Sequence, residues 1–188
     1  MKFLKHYDLK GKHAPFSASS YHWVNYDEAK LKTVYKKLMA KERGTLIHNF
    51  ACFCIRLKQK LPRSKVTLNS YVNDAIGFGM TPEQPLYYSD NFFGTADAIS
   101  FDKDILRIHD LKTGETPANI TQLRIYAALF CLEYMIDPEA IQMELRIYQG
   151  GEITIDIPEP SEIAGIMEKI KSFDIVLRDL KQEMGDEY

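Results

Sequence analysis

The residues predict an α/β fold with a mixed β-sheet flanked by helices. Three observations lead there: helical stretches follow one another from about residue 28 to Gly77, alternating strands take over from about residue 85, and a further helical stretch separates one pair of strands from the next. With 188 residues, 45% of them hydrophobic, the chain suits a single domain over residues 1–188 with a real core.

The elements follow in order. Residues 1–26 are rich in aromatic and small polar residues and read as irregular. Asp27 is placed to cap a helix over about 28–41, and Gly44 is expected to break it. A second helix fits 45–61, where Leu46, Ile47, Phe50, Phe53, Cys54 and Leu57 share a helical stripe. A third, about 66–77, ends at Gly77 and Gly79. Pro85 to Tyr88 reads as a short strand. Phe92 to Phe101 and Ile105 to Lys112 form an antiparallel hairpin turned at Asp102-Lys103-Asp104, and Thr113-Gly114 stops it. A helix over about 118–135 carries Leu123, Tyr126, Ala127 and Phe130 on one face. Ile141 to Tyr148 and Glu152 to Ile157 are strands joined at Gly150-Gly151. Pro158 and Pro160 end the second, and a helix over about 161–183 closes the order.

Composition narrows the function classes. No apolar run of 18 residues exists, so no transmembrane helix is expected, and the polar start MKFLKHYDLKGKH lacks a signal-peptide core. An intracellular, cytoplasmic protein without a membrane partner is expected. Cys52, Cys54 and Cys131 lack the count and spacing of a disulfide framework or zinc site, and Cys52 and Cys54 are expected to be buried thiols. Net charge is −2, but it is unevenly spread. Residues 1–65 hold 15 Lys/Arg against 4 Asp/Glu, whereas residues 66–188 hold 9 against 22. Such asymmetry gives either a local positive face for phosphates or simply a solvated helix surface.

The chemistry concentrates in Gly94-Thr-Ala-Asp97 and Asp110-Leu-Lys112-Thr-Gly114. Asp110 and Lys112 are two apart on a strand and share a face. With the turn centred near Lys103, Asp97 falls opposite about position 109, so two carboxylates and an ammonium converge. Burying them is costly unless pairing or a metal compensates, and carboxylates suit Mg²⁺ or Mn²⁺. A lone D-x-K is an ordinary surface ion pair. Three further features accompany this one: His48 in Gly44-Thr-Leu-Ile-His48, Gln122 and Tyr126 one helical turn apart, and Gly94 three residues before Asp97. Singly, His48 and Tyr126 fit a core and Gln122 a solvated side chain.

Taken in order, G-x-x-x-H, G-x-x-D, D-x-K-T-G and Q-x-x-x-Y over residues 44–126 resemble the RecB-like branch of the PD-(D/E)XK nuclease superfamily. The resemblance implies a restriction-endonuclease-like core and a metal-dependent DNA nuclease, an exonuclease or end-processing enzyme of recombination, repair or phage DNA metabolism. It implies Mg²⁺ or Mn²⁺ held by His48, Asp97, Asp110 and the Leu111 carbonyl, with Lys112 as catalytic lysine and Gln122 and Tyr126 organising the site. Some relatives carry an iron–sulfur cluster on four cysteines; with three here, none is expected. On that footing Lys36, Lys37, Lys41 and Arg43 are candidates for the phosphate backbone, and Tyr21, Trp23 and Tyr26 either stack on unpaired bases or plug the core. The expected partner is DNA, as single strands or ends, together with a recombination protein or further copies of the chain. A non-catalytic binding module and an RNA-directed nuclease are the alternatives.

Overall fold

The computed structural model describes residues 3–185. The chain divides into two compact units, Met1–Thr45 and Leu46–Tyr188. The first holds two 3-10 stretches, Tyr7–Leu9 and Ala18–Asn25, and the start of helix α1 (Glu28–Arg56). Trp23 is fixed by its indole N–H, which donates to the Ser17 carbonyl at 2.8 Å. Asp27 caps α1 as expected, accepting the Lys30 backbone N–H at 2.7 Å.

The expected break at Gly44 does not occur, because α1 is continuous from Glu28 to Arg56. A glycine costs a helix interior only about 1 kcal/mol relative to alanine, too little to stop a helix with good formers on both sides. The real stop lies earlier than residue 61 and carries no glycine. Lys58 takes a left-handed φ of 53°, its N–H bonds the Ile55 carbonyl, and the Gln59 N–H bonds the Cys54 carbonyl. That is a Schellman cap with lysine where glycine is usual.

The second unit is a mixed α/β arrangement: a five-stranded mixed sheet flanked by helices. Its strands are β1 (Thr81–Ser89), β2 (Phe92–Asp102), β3 (Ile105–Lys112), β4 (Gln142–Gln149) and β5 (Glu152–Asp156), adjacent in that order. All neighbours are antiparallel except β3 and β4, which are parallel. The parallel pair requires a crossover, and helix α3 (Thr121–Tyr134) supplies it. Strand β1 is longer than the expected Pro85–Tyr88; as an edge strand it tolerates Pro82 and Pro85. The β2–β3 turn is the two-residue type with positive φ at Lys103 and Asp104, and Gly150-Gly151 makes the same turn between β4 and β5.

Two apolar cores lie on the two sheet faces. One joins Leu86, Ala96, Ile99, Leu106 and Ile108 to α3 and to helix α4 (Pro160–Gly185). The other joins Ala98, Leu111 and Tyr148 to helix α2 (Thr67–Gly77) and to Ala51, Cys54 and Ile55 of α1. The stripe expected to face the core on α1 is therefore corrected. Leu46, Phe50, Phe53 and Leu57 are exposed, and the turn positions beside them are buried. Apolar residues surround this stretch on all sides, so periodicity cannot say which side is covered. Cys54 is buried as expected, whereas Cys52, expected to be buried as well, is only half-buried; Cys131 is buried. Among the described residues no helix is long and apolar enough to cross a membrane.

Candidate metal centre

Asp110 and Lys112 share one face of β3, as their two-residue spacing requires. Asp110 is 2% exposed. The Lys112 ammonium donates to Asp110 Oδ1 at 3.0 Å and to Gln122 Oε1 on α3 at 2.9 Å. Asp110 Oδ2 also lies 2.9 Å from Lys112 Nζ, but without hydrogen-bond geometry, and this buried oxygen has no hydrogen-bond partner. Burial, and then the nearby Asp97 charge, push the Asp110 carboxyl above its ordinary pKa, against the pull of Lys112.

The β2–β3 ladder ends at the pair Ala98–His109. One step further, the Asp97 carboxylate takes over: its Oδ2 accepts the Leu111 backbone N–H at 2.9 Å. Strict alternation would put Ala96 and Ala98 on one face, yet Ala96 packs in the core beside α3 and Ala98 in the core beside α2. The pleat is broken at Asp97, the kind of local irregularity that re-aims a side chain. Opposite it on β1, Glu83 has a left-handed φ of 52° and drops out of a register that otherwise runs through Pro82–Ala98 and Gln84–Ala96.

His48 enters from α1, with Nδ1 3.4 Å from Asp97 Oδ2. The Asp97 carboxylate raises the imidazole pKa above its ordinary value; burial opposes this, and Asp110 and Glu83 add to it. His48, Glu83 and Asp97 each offer one ligand atom, and these atoms all lie within 4.8 Å of one another. Glu83 was not among the candidates read from the sequence. Its carboxyl is raised by burial and by Asp97, while His48 and Arg56 pull it down.

Of the residues singled out in the sequence, His48 meets Asp97, and Asp110, Lys112 and Gln122 are joined by hydrogen bonds; Leu111, expected to offer its carbonyl, meets Asp97 through its N–H. Asp110 stands beside the His48–Glu83–Asp97 trio rather than within it, held by Lys112. Tyr126 joins through Gln122, whose amide donates to the Tyr126 hydroxyl at 3.1 Å. The Tyr126 ring in turn needs Gly94: a Cβ there would meet ring carbon Cε1 at 2.8 Å. Two of the sequence motifs thus meet as one packed contact that seats α3, whose Gln122 accepts from Lys112 of β3. Lys36, Lys37, Lys41 and Arg43 are exposed on α1 within the N-terminal unit.

The donor set fits a divalent cation. One imidazole and two carboxylates within a few ångströms of each other are a set of donors that could hold a divalent metal ion. Glu83 and Asp110 have carboxyls pushed up partly by Asp97, and one buried oxygen of Asp110 lacks a hydrogen bond. A cluster in that state is relieved by a proton or by a cation. No known protein family, curated protein or solved structure matches the chain.

Proposed function

We propose that the protein is a metal-dependent DNA nuclease that hydrolyses phosphodiester bonds at strand ends, built on a restriction-endonuclease-like core. The observation that carries this is the convergence of His48, Glu83 and Asp97 beside a buried Asp110–Lys112 pair. Mg²⁺ or Mn²⁺ bound there would polarise a phosphoryl oxygen and lower the pKa of water at the site.

The protein's own groups divide the remaining work. His48, Glu83 and Asp97 would hold the ion, with Asp110 and the Leu111 carbonyl adjoining. An ammonium has three N–H donors. Lys112 directs one to Asp110 and one to Gln122, which leaves one to orient the attacking water or to bind the scissile phosphate. Asp110 and Gln122 position Lys112, and Tyr126 seated on Gly94 positions Gln122. The tertiary arrangement leaves Lys112 about a third exposed, so a phosphate can reach it from solvent.

End-labelled single- and double-stranded DNA, with an RNA strand alongside, tests the proposal in Mg²⁺ or Mn²⁺ and in a chelator. Cleavage that needs the ion is expected. Asp110→Asn and Lys112→Ala are expected to lower its rate at least about 100-fold while circular dichroism reports an unchanged fold. Wild-type rates in either variant would remove both residues from the active site, and cleavage of RNA alone would change the substrate.

A further inference from the structure

Tyr87 and Phe93 pair directly across the β1–β2 hairpin, with ring centroids 6.5 Å apart and planes 30° from parallel. Cross-strand aromatic pairs commonly stabilise hairpins by covering one another. This pair is not covered: Tyr87 is 50% exposed and Phe93 66%. The Tyr87 ring is held at its hydroxyl and its strand at the backbone. The hydroxyl donates to Asp90 at 2.8 Å, and the Tyr87 backbone N–H donates to Glu133 on α3 at 2.9 Å. A rigid, flat, exposed apolar surface costs little entropy to occupy.

The position of the pair ties it to the metal centre. Gly94 faces α3, since its Cβ position meets Tyr126. Phe93 and Thr95 therefore face the other way, and the same alternation leads to Asp97 before the pleat breaks. On β1 the same side carries Pro85 and Tyr87, opposite Thr95 and Phe93. Phe93 stands four residues from Asp97, about 13 Å along the strand. The charged side chains bonded to Tyr87 are carboxylates, Asp90 and Glu133, while the α4 cations at the hairpin turn, Arg178 and Lys181, are engaged with Asp174 and Asn91. The two exposed rings offer a flat, apolar surface suited to the neutral, flat part of a nucleotide.

We propose that Tyr87 and Phe93 form a stacking platform for an unpaired nucleobase of the strand whose backbone lies at the metal centre. This rests on the nuclease reading and extends it, because a base must leave its duplex partner to lie on a ring, so the substrate is a single strand or a frayed end. Each base stacked on an aromatic ring is worth roughly tenfold in affinity.

The test uses Lys112→Ala, which keeps the strand intact, and compares two oligonucleotides of equal length, one with bases and one abasic, by fluorescence anisotropy in Mn²⁺. The base-bearing strand is expected to bind more tightly. Adding Phe93→Leu and Tyr87→Leu, which keep apolar cover on the hairpin but remove the ring faces, is expected to weaken that strand roughly tenfold and leave the abasic strand unchanged. Phe93→Leu alone serves if the combined variant does not fold. Equal weakening of both strands, or of neither, would overturn the platform. Should wild-type protein cleave DNA while these affinities stay level, only the platform fails. If Lys112→Ala binds neither strand and the wild type cleaves neither, the platform falls together with the nuclease reading.

Discussion

Glu83 turns a pair of facing groups into a three-donor site. His48 and Asp97 alone form an ion-pair contact at 3.4 Å. The left-handed backbone of Glu83 brings a second carboxylate within reach of both. Such a conformation is uncommon for a residue with a Cβ and carries a cost in strain. Calorimetric titration with Mn²⁺ can measure what Glu83 supplies. Glu83→Gln and His48→Ala are each expected to weaken Mn²⁺ binding at least about tenfold in a folded protein. The pH dependence follows from His48. Without the ion, Asp97 holds its pKa above the ordinary 6.5, and only neutral imidazole binds metal. Mn²⁺ affinity is therefore expected to fall as pH drops through a value above 6.5, and His48→Ala is expected to remove that fall. Unchanged affinity in both variants would return His48 and Glu83 to ordinary packing roles.

Helix α4 is fastened to the β1–β2 hairpin by Asp174 and by Lys181, whose ammonium donates to Asn91 Oδ1. Asp174, fully buried, accepts hydrogen bonds from Ser89 at 2.6 Å and Asn91 at 2.9 Å, and pairs with Arg178 on its own helix. Those donors, Ser89 first, hold the Asp174 pKa below its ordinary 3.8. A carboxyl lowered in the folded state stabilises it at pH values above the unfolded pKa and loses that contribution as pH falls through the folded one. Urea unfolding of the wild type should thus weaken with acid below about pH 3.8, and Asp174→Asn should lower stability at pH 7 and flatten that acid limb. An unaltered acid limb in the variant would mean that other carboxyls carry it. The clamp bears on the proposed function because the hairpin carries Glu83 and Asp97 as well as Tyr87 and Phe93.

Across the whole chain, charge divides between a basic first third and an acidic remainder. Lys36, Lys37, Lys41 and Arg43 are exposed on the N-terminal unit's part of α1, where cations lose little by meeting a phosphate backbone. Replacing Lys36, Lys37 and Lys41 with glutamate is expected to weaken DNA binding. The slope of log affinity against log salt should become shallower by about one for each phosphate that the variant no longer neutralises. Cleavage at saturating DNA should persist, since the metal donors lie elsewhere in sequence. An unchanged slope would place the DNA path on other residues.

The sequence by itself determined the order of helices and strands after α1, the hairpin that carries Asp97 and Asp110, and the sharing of faces by Asp110 with Lys112 and by Gln122 with Tyr126. These follow from periods of two and 3.6 residues, which are local properties of the backbone. Three things were decided only by the tertiary structure. Which side of α1 is buried depended on what packs against it, because Leu46, Phe50, Phe53 and Leu57 are as apolar as the residues the core selected. The end of α1 at Arg56 depended on a lysine adopting a left-handed cap that no glycine announces. The approach of Glu83 to Asp97 and His48 depended on a positive φ within a strand and on a pleat broken at Asp97. Neither has a residue-type signature, because both arise from how β1, β2 and β3 fit together, and residues far apart in the chain set that fit.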